Sequence, residues 1–494
     1  PVVSASGATP TAQQLIDDAR AAEGGAEAWQ RLGTLALVGT MKAAGLEGSY
    51  SATEDPRTGR WVTSYALGLL QGGEGYDGTT AWSRTPGGEL TVLDASPARE
   101  AAVTRAWLVK RSYLLPPAEP TTPAAPRPVS EDGRRLLVID AIPSGGLPIE
   151  LWFDAATGLL DRTVERQGAE TVTTRYGDYR EVGGVAIAFM RRESRGDPRT
   201  DVEIRLQEVS VLPEIDAEIF ALPAPAPADF RFAGPIAAST VPFELLANHV
   251  YVEARLDGRP LRFLLDTGGV NLLTTDAAAR LGLESRGEMH RQGAGEGSVS
   301  VGLAKVASLA LGDVELVDQT FYVVPLGHVA GEHGASFDGL LGFEVFSRFV
   351  VTLDYAGRQL TLTEPGRFDY RGTGARIPLR FADRIPVIEA AIDGIGGAFS
   401  IDTGARNSLT LTSPFVAQHD FVQRYEASRE RVVGWGVGGP VVAHVARARE
   451  LAIGPLHVEW PVTELYTGER GAFASTELAG NIGGGILRRF TAIF

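Results

Sequence analysis

The sequence predicts a mainly β protein, in which an α+β domain with a curved antiparallel sheet precedes a two-lobed β repeat. Short alternating segments separated by turn residues run from Thr34 to about Leu212, a pattern typical of a meandering antiparallel sheet. A stretch rich in alternating Pro and Ala follows at 221–235. Beyond it one phrase occurs twice, as FLLDTGGVNLLT (263–274) and FSIDTGARNSLT (399–410), with seven of twelve positions identical.

Composition and charge exclude several classes of function. The 494 residues are 44% hydrophobic and 22% charged, as in ordinary globular proteins. The net charge of −15 disfavours nucleic acid and anionic membrane surfaces as partners. The absence of cysteine excludes disulfides, Cys-zinc sites and thiol catalysis. His328, Glu332 and His333 lack the spacing of a zinc-binding helix and are expected at the surface. No metal and no cofactor are predicted.

The N-terminal region predicts two short helices ahead of the sheet, broken at Gly24–Gly25, with Thr11 as the N-cap. The first residues, PVVSASGATPTAQQ, are typical of the region after a removed export signal, with a trimmed chain as the alternative interpretation. Apolar runs such as GGVAIAFM (183–190) are too short to cross a bilayer. The final RRFTAIF has the pattern of a strand interior, so the native chain is expected to continue.

These features predict a domain division. The α+β domain is expected at 1–223, a semi-rigid Pro/Ala linker at 224–235, a first lobe at 236–375 and a second at 376–494. The Pro-rich stretch at 115–128 predicts a solvated loop within the first domain.

The repeat extends well beyond the shared phrase. HVYVEARLDGRPLRFLLDTGG (249–269) matches IPVIEAAIDGIGGAFSIDTGA (385–405) as strand, Asp-Gly turn, strand and Asp-Thr-Gly. A Gly-rich turn follows in each copy, at 293–297 and 434–439, and the copies end on GLLG and GNIG motifs. The pattern indicates a tandem duplication of a β unit of roughly 120–140 residues.

Each copy supplies one acid at the same place, Asp266 and Asp402. A single Asp-Thr-Gly would be an ordinary turn, but a turn needs no second copy. Two carboxylates facing each other cannot both ionise easily, so the pair holds one proton at mildly acidic pH. The ionised Asp can then take a proton from water while the protonated one donates to a carbonyl oxygen. Because the titration belongs to the pair, neither Asp has a fixed role.

With these motifs, 236–494 resembles the retropepsin/pepsin-like aspartic peptidases, in particular their bacterial tandem forms. The resemblance implies that Asp266 and Asp402 are the catalytic dyad. It implies loop support, by hydroxyl cross-links, close backbone approach and packing, from Thr267, Gly268, Thr403, Gly404, Leu341, Gly342, Ile482 and Gly483. It implies flaps that close over substrate at Gly293, Ala294, Gly295, Gly434, Trp435 and Gly436.

Three departures from the family pattern concern efficiency and specificity rather than the fold. Gly269 follows the first Asp-Thr-Gly, where the family more often has Ala or Ser. Asn481 replaces the first apolar residue of the distal motif. Neither flap has the Tyr of pepsin-like enzymes, for which Trp435 is a substitute unless it belongs to the core.

The region 10–223 resembles the LolA/LolB-like lipoprotein-sorting fold, on ARAAEGGAEAWQRLGTLALVGT (19–40), GYDGTTAWS (75–83), LWFDAATGLLDRT (151–163) and IDAEIFALP (215–223). In that fold a curved sheet covered by helices forms an apolar cavity. The resemblance implies a periplasmic setting and binding of acyl chains or hydrophobic peptide. The alternative is that the sheet has a filled core and no cavity, in which case the aromatic side chains only pack in its interior. These side chains are Trp61, Trp82 and Trp152.

The resulting hypothesis is a monomeric, periplasmic or secreted aspartic endopeptidase with a peptide or protein substrate held extended between the lobes. One alternative is a catalytically silent retropepsin-like scaffold with an N-terminal domain that binds a lipid or hydrophobic peptide. Another is a latent peptidase whose cleft is covered by the N-terminal domain or the loop at 115–128. Pairing of the lobes within one chain is favoured because both halves carry a complete Asp motif.

Overall fold

The structure is a computed structural model, and the residues that it describes are 9–85, 88–94, 98–115, 125–167, 170–212, 215–224, 228–291, 293–326, 335–382 and 384–494. The chain divides into two compact units, Pro1–Pro225 and Ala226–Phe494. Several sequence predictions fall outside the described residues: the start of the expected export region, most of the loop at 115–128, residues 225–227 near the start of the linker, and His328, Glu332 and His333.

The first unit contains an antiparallel sheet of thirteen described strands in the order β6-β5-β4-β3-β2-β1-β13-β12-β11-β10-β9-β8-β7. The pairing of β1 with β13 joins two meanders, which confirms the predicted antiparallel meander. The strands are β1 (Thr34–Ala43), β2 (Leu46–Glu54), β3 (Trp61–Leu67), β4 (Leu70–Tyr76), β5 (Ala81–Arg84), β6 (Leu90–Val92), β7 (Arg127–Glu131), β8 (Arg134–Ala141), β9 (Ile149–Asp154), β10 (Leu160–Gln167), β11 (Glu170–Val182), β12 (Val185–Ser194) and β13 (Val202–Leu212).

The helices of this unit are α1 (Ala12–Ala22), α2 (Ala26–Arg31) and α3 (Ala98–Val109). The predicted N-cap is confirmed, because Thr11 Oγ1 accepts the Gln14 N–H and the Gln14 side chain accepts the Thr11 N–H. Gly24 and Gly25 have φ of 101° and 88°, a region that favours glycine, and they separate α1 from α2 as predicted.

Charged side chains are buried inside the first unit. Glu54 is 5% exposed and lies 3.1 Å from the Arg191 guanidinium and 3.8 Å from that of Arg105. Glu23, 1% exposed, pairs with Arg111 at 3.1 Å. Buried charges of this kind need partners, and these ion pairs put charge into the interior of a unit for which the resemblance implies an apolar cavity.

The second unit contains three described sheets. Their orders are β14-β22-β19-β23-β18-β17-β21-β20 with β16 beside β17, then β15-β25-β24-β36, and then β30-β31-β34-β29-β35-β28-β27-β32-β33 with β26 beside β27. The strands up to the first distal motif are β14 (Phe230–Phe232), β15 (Ala238–Pro242), β16 (Glu244–Leu246), β17 (His249–Leu256), β18 (Arg259–Leu265), β19 (Leu272–Thr274), β20 (Arg286–Arg291), β21 (Val299–Leu311), β22 (Val314–Val324) and β23 (Gly339–Leu341).

The remaining strands are β24 (Val350–Asp354), β25 (Gln359–Thr363), β26 (Leu379–Ala382), β27 (Ile385–Ile392), β28 (Ile395–Asp402), β29 (Leu409–Leu411), β30 (Arg431–Gly436), β31 (Gly439–Arg447), β32 (Glu450–Ile453), β33 (Leu456–Glu459), β34 (Val462–Tyr466), β35 (Gly480–Gly483) and β36 (Thr491–Ile493). The helices are short: α4 (Thr275–Leu281), α5 (Phe343–Phe346), α6 (Ser413–Gln418), α7 (Phe421–Arg424) and α8 (Gly484–Leu487).

The two larger sheets of this unit share one arrangement at their centres. In each, the strand that leads into Asp-Thr-Gly lies parallel to the strand of the distal glycine motif, as β18 beside β23 and β28 beside β35. The chain is mainly β, as predicted. Among the described residues, no helix combines the length and the apolar character that crossing a membrane requires.

Candidate active site

Both Asp-Thr-Gly loops begin where a central strand ends. β18 ends at Leu265, and the N–H of Asp266 donates to the Leu341 carbonyl at 2.9 Å. β28 ends at Asp402, which pairs in register with Gly483 of β35. Each Asp is therefore held at the end of a buried strand by the strand of its own distal motif.

Two threonines join the loops through four reciprocal hydrogen bonds. Thr267 Oγ1 donates to the Ile401 carbonyl at 2.7 Å, and Thr403 Oγ1 donates to the Leu265 carbonyl at 2.8 Å. Each hydroxyl also accepts the N–H of the other threonine at 3.0 Å. Thr267 and Thr403 are 2% and 0% exposed, so water cannot replace a lost partner, and the network fixes the separation of the loops.

One glycine of each loop faces the carboxyl group of the other. A Cβ on Gly268 would lie 2.8 Å from Cγ of Asp402, and a Cβ on Gly404 would overlap the carboxyl of Asp266. No other residue type fits at this approach. The close approach of the loops places the two carboxyl groups near enough to influence each other's pKa.

Burial raises the pKa of both acids. Burial raises the pKa of Asp266 well above its ordinary value, and the charge of Asp402 raises it further. Burial also raises the pKa of Asp402, although hydrogen bonds from Asn481, from Asp266 and from the N–H groups of Gly404 and Ala405 act to lower it. Like charges in contact cannot both ionise easily, so the pair holds one proton over an extended pH range.

The hydrogen bonds to Asp402 are the more numerous. Its Oδ1 accepts the N–H of Gly404 at 2.9 Å and the N–H of Ala405 at 3.0 Å. Its Oδ2 accepts the side-chain amide of Asn481 at 3.1 Å. Three neutral donors thus stabilise the ionised form of this carboxyl.

Asp266 has a different backbone environment. Its Oδ1 accepts the Gly268 N–H at 2.8 Å, whereas the Gly269 N–H donates to the main-chain carbonyl of Asp266 at 3.3 Å. A Cβ on Gly269 would lie 2.8 Å from Asp266 Oδ2. This contact explains why Gly stands where the family pattern has Ala or Ser.

Behind the first loop, Asn271 and Glu344 tie the loop to its distal motif. The Asn271 N–H donates to Glu344 Oε2 at 2.6 Å, and Asn271 Oδ1 accepts the Gly342 N–H at 2.9 Å. Both side chains are buried. The predicted support residues Leu341 and Gly342 belong to this arrangement, while Asn271 and Glu344 were not predicted.

Behind the second loop, Asn407 takes the position equivalent to Asn271. Its Nδ2 donates to Glu464 Oε2 at 2.8 Å and contacts the hydroxyl of Thr410. The predicted support residue Ile482 is fully buried, and the Gly483 N–H donates to a loop carbonyl at 3.0 Å. Asn is among the seven identical positions of the repeated phrase, and that identity was the signal for both asparagines.

The predicted flap segments of the two lobes meet tip to tip. The N–H of Gly295 donates to the Val437 carbonyl at 3.0 Å, and the N–H of Gly297 donates to the Gly438 carbonyl at 2.9 Å. The second flap is the hairpin of β30 and β31, in which Trp435 pairs with Pro440. Its turn is formed by Val437 and Gly438, within the predicted turn at 434–439 and directly after the predicted flap residue Gly436.

Other contacts attach the first flap to the second lobe. The Gly293 carbonyl accepts the Ala472 N–H at 3.0 Å, and the Tyr466 hydroxyl donates to Glu296 Oε1 at 3.1 Å. Burial and this carboxylate raise the pKa of Tyr466 to about 12. The predicted flap residues Ala294, Gly434 and Gly436 lie in the same segments, and a Cβ on Gly436 would lie 2.8 Å from that of Ala294.

Residues 252–345 match the aspartyl protease family model. The matched segment contains the first Asp-Thr-Gly loop and its distal motif. No curated protein matches the chain.

Among solved structures, one similar chain is a putative outer membrane lipoprotein-sorting protein domain from Vibrio parahaemolyticus, with 9% identity, 42% of this chain and 94% of that chain covered, and a TM-score of 0.28. A LolA superfamily protein from Nitrosomonas europaea matches with 13% identity, coverage of 43% and 98%, and a TM-score of 0.29. A retropepsin-like aspartic protease from Rickettsia conorii matches with 20% identity, coverage of 26% and 91%, and a TM-score of 0.19.

The described part of the chain contains no cluster of three or more His, Asp or Glu side chains that could hold a metal ion.

Proposed function

We propose that the unit Ala226–Phe494 is an aspartic endopeptidase that hydrolyses peptide bonds with a water molecule activated between Asp266 and Asp402. The family match at 252–345 supports an aspartic-protease type of function in general. The observation that carries the finer proposal is the reciprocal threonine network, which holds the two Asp-Thr-Gly loops together so that the glycine of each lies against the carboxyl group of the other.

The proposed reaction needs only the two acids and water. The ionised carboxylate takes a proton from water as the water oxygen bonds to the carbonyl carbon of the peptide, while the protonated carboxyl donates to the carbonyl oxygen. The tetrahedral diol then breaks its C–N bond as a proton passes to the nitrogen. The products are a carboxylic acid and an amine, and one proton is again shared by the dyad.

The substrate is proposed to be an extended segment of peptide or protein. The flap strands β20, β21, β30 and β31 can hydrogen-bond to an extended backbone in the manner of an added strand. Because the flap tips are hydrogen-bonded to each other, substrate entry requires these contacts to open, and their closure afterwards would exclude water from the reacting groups.

The test is cleavage of an unfolded protein mixture at several pH values between 3 and 7 by the wild-type chain and by Asp402→Asn. Loss of a catalytic acid or base lowers the rate by about 10²- to 10⁴-fold. Asp369→Asn is a matched control, because it removes a carboxylate of the same unit that is 68% exposed. The proposal is supported if wild-type cleavage is blocked by a pepstatin-like inhibitor, is lost in Asp402→Asn and is kept in the control Asp369→Asn.

Equal cleavage by wild type and Asp402→Asn would refute the proposed dyad. Absence of cleavage by a folded wild-type chain at every pH would favour the silent scaffold or the latent peptidase. A hydrophobic ligand for the first unit stays a prediction, and the buried ion pairs Glu54–Arg191 and Glu23–Arg111 give it no support. A periplasmic or secreted location, a monomeric state and the predicted domain boundaries remain part of the proposal.

A further inference from the structure

The two acids of the dyad lie on loops of related sequence, but the side chain of Asn481 contacts Asp402 and not Asp266. Asn481 is 4% exposed and donates from Nδ2 to Asp402 Oδ2 at 3.1 Å. Its Oδ1 accepts the hydroxyl of Ser400 at 2.7 Å, and Ser400 is 5% exposed. Because the amide oxygen accepts from the hydroxyl, the amide N–H₂ is the end that faces the carboxylate.

The first lobe has no such donor at the equivalent place. Ser400 pairs with Asn481 across the parallel strands β28 and β35. Leu264 pairs with Leu340 across β18 and β23. Both positions that are polar in the second lobe are thus apolar in the first, and neither leucine can donate to Asp266.

We propose that Asn481, oriented by Ser400, is a positioning residue that fixes the proton of the dyad on Asp266 and makes Asp402 the base that activates water. This inference rests on the proposed function for its catalytic meaning. The assignment of the proton itself is a property of the folded protein and does not require turnover.

The surroundings of the dyad agree with this assignment. The charged group that faces Asp402 is Asp266, and its other contacts are neutral donors, namely Asn481 and two backbone N–H groups. Asp266 faces Asp402 and accepts one backbone N–H. The Arg406 guanidinium donates to the Val433 carbonyl at 3.1 Å, while Glu464 bonds to side chains behind the loop. Donors to the ionised form lower the pKa of the group that accepts them, so the donor count favours an ionised Asp402.

The proton assignment predicts which limb of the pH–rate profile depends on Asn481. If Asp402 ionises first, the Asn481 bond forms when the doubly protonated dyad loses its first proton and persists when the second proton leaves. Removal of the amide then raises the first apparent pKa and leaves the second nearly unchanged. If Asp266 ionised first, the second apparent pKa would move instead.

The test uses the full chain with Ser400→Leu and Asn481→Leu combined, which copies the Leu264–Leu340 pair of the first lobe. The acidic limb of kcat/KM is expected to move to higher pH by about one unit, the equivalent of 1.36 kcal/mol. The alkaline limb is expected to stay in place. Asn481→Ala removes the amide without adding volume, and it replaces the double variant if circular dichroism shows that the latter does not fold.

A second measurement separates this inference from the proposed function. The Cγ carbons of aspartate are labelled with ¹³C and titrated by NMR, with the signals of the dyad assigned by their loss in Asp266→Asn and Asp402→Asn. Asp402 is expected to ionise at lower pH than Asp266, and the difference is expected to shrink in the double variant. Moving the donor pair, by adding Leu264→Ser and Leu340→Asn to the double variant, is expected to narrow the difference further, because each carboxyl then accepts two neutral donors.

The outcomes are distinct. Wild-type cleavage with an unmoved acidic limb, or an alkaline limb that moves instead, overturns the inference and leaves the peptidase proposal intact. A folded wild-type chain without activity favours the silent scaffold or the latent peptidase, and the NMR order of ionisation still decides the role of Asn481. Ionisation of Asp266 before Asp402 in the wild type refutes the assignment.

Discussion

The loop that carries Asp266 and the loop that carries Asp402 share seven of twelve residues and the same strand arrangement. Their threonines make identical bonds to each other's backbone. Their carboxylates, however, accept different donors, because Gly269 and Ala405 follow the two motifs and Asn481 contacts only Asp402. A duplication has thus kept the parts that set the distance between the acids, while the parts that set their proton affinities have diverged.

The threonine network is the most symmetric part of the comparison. Thr267→Val and Thr403→Val each leave one carbonyl and one N–H buried without a partner, which is expected to lower the free energy of unfolding by about 2–4 kcal/mol. Urea unfolding of both variants measures the loss. Thr→Ser at either position keeps the hydroxyl and is the control. Losses of unfolding free energy that differ strongly between the two valine variants would show that the two threonines do not contribute equally to stability.

The two loops differ at the residue that follows Asp-Thr-Gly, which is Gly269 in the first loop and Ala405 in the second. Gly269→Ala places a Cβ 2.8 Å from Asp266 Oδ2 and must displace that carboxyl. Small displacements of reacting groups cost up to about 10²-fold in rate, so a loss of about 10- to 100-fold in kcat is expected. The matched exchange Ala405→Gly removes a Cβ without any clash and is expected to change kcat far less. Similar losses in both would argue against the contact as the cause.

The pH dependence of stability tests the raised pKa of Asp266. Between the ordinary pKa and the raised one, the folded state binds more protons than the unfolded state, so the stability contribution of Asp266 is present at acidic pH and is lost as pH rises. Asp266→Asn removes this loss and is expected to increase stability at pH 7 by about 0.5–2 kcal/mol. Urea unfolding at pH 4, 5, 6 and 7 gives the two slopes. Parallel slopes for wild type and variant would contradict the raised pKa.

The flap contacts are the least symmetric feature and carry the smallest expected effect. Tyr466→Phe removes a hydroxyl that contacts the exposed Glu296 at 3.1 Å and the Arg470 carbonyl at 2.6 Å. Each lost hydrogen bond is expected to cost the closed state about 0.5–1.5 kcal/mol. We expect KM for a fluorogenic peptide to change by a few-fold with kcat nearly constant. Glu296→Gln keeps an acceptor at the same place and serves as the control. A large fall in kcat would assign Tyr466 a role beyond flap closure.

Much of the fold follows from local patterns in the sequence. The meander of the first unit and the break between α1 and α2 could be predicted because alternation, capping residues and glycine act over a few residues. The pairing of β36 with β24, Thr352 opposite Ile493, joins positions far apart in the chain. No local pattern predicts it.

In the candidate site, too, the sequence predicts the residues that lie in local motifs and misses those that act through contacts between distant strands. Asp266 and Asp402 could be found because the repeat places them in identical phrases. Asn481 was noted only as a missing apolar residue, since its contacts with Ser400 and Asp402 exist only once β28 and β35 lie side by side. The tip-to-tip contact of Gly295 with Val437 likewise depends on how two lobes face each other.

The central claim is that two loops form one site, and a mutant cycle tests it most directly. Cleavage rates are measured for wild type, Asp266→Asn, Asp402→Asn and the double variant. Residues that act as a unit give non-additive losses, so each single variant is expected to lose about 10²- to 10⁴-fold and the double variant no more than the worse single one. Activity that survives in either single variant, or losses that multiply in the double variant, would contradict the claim.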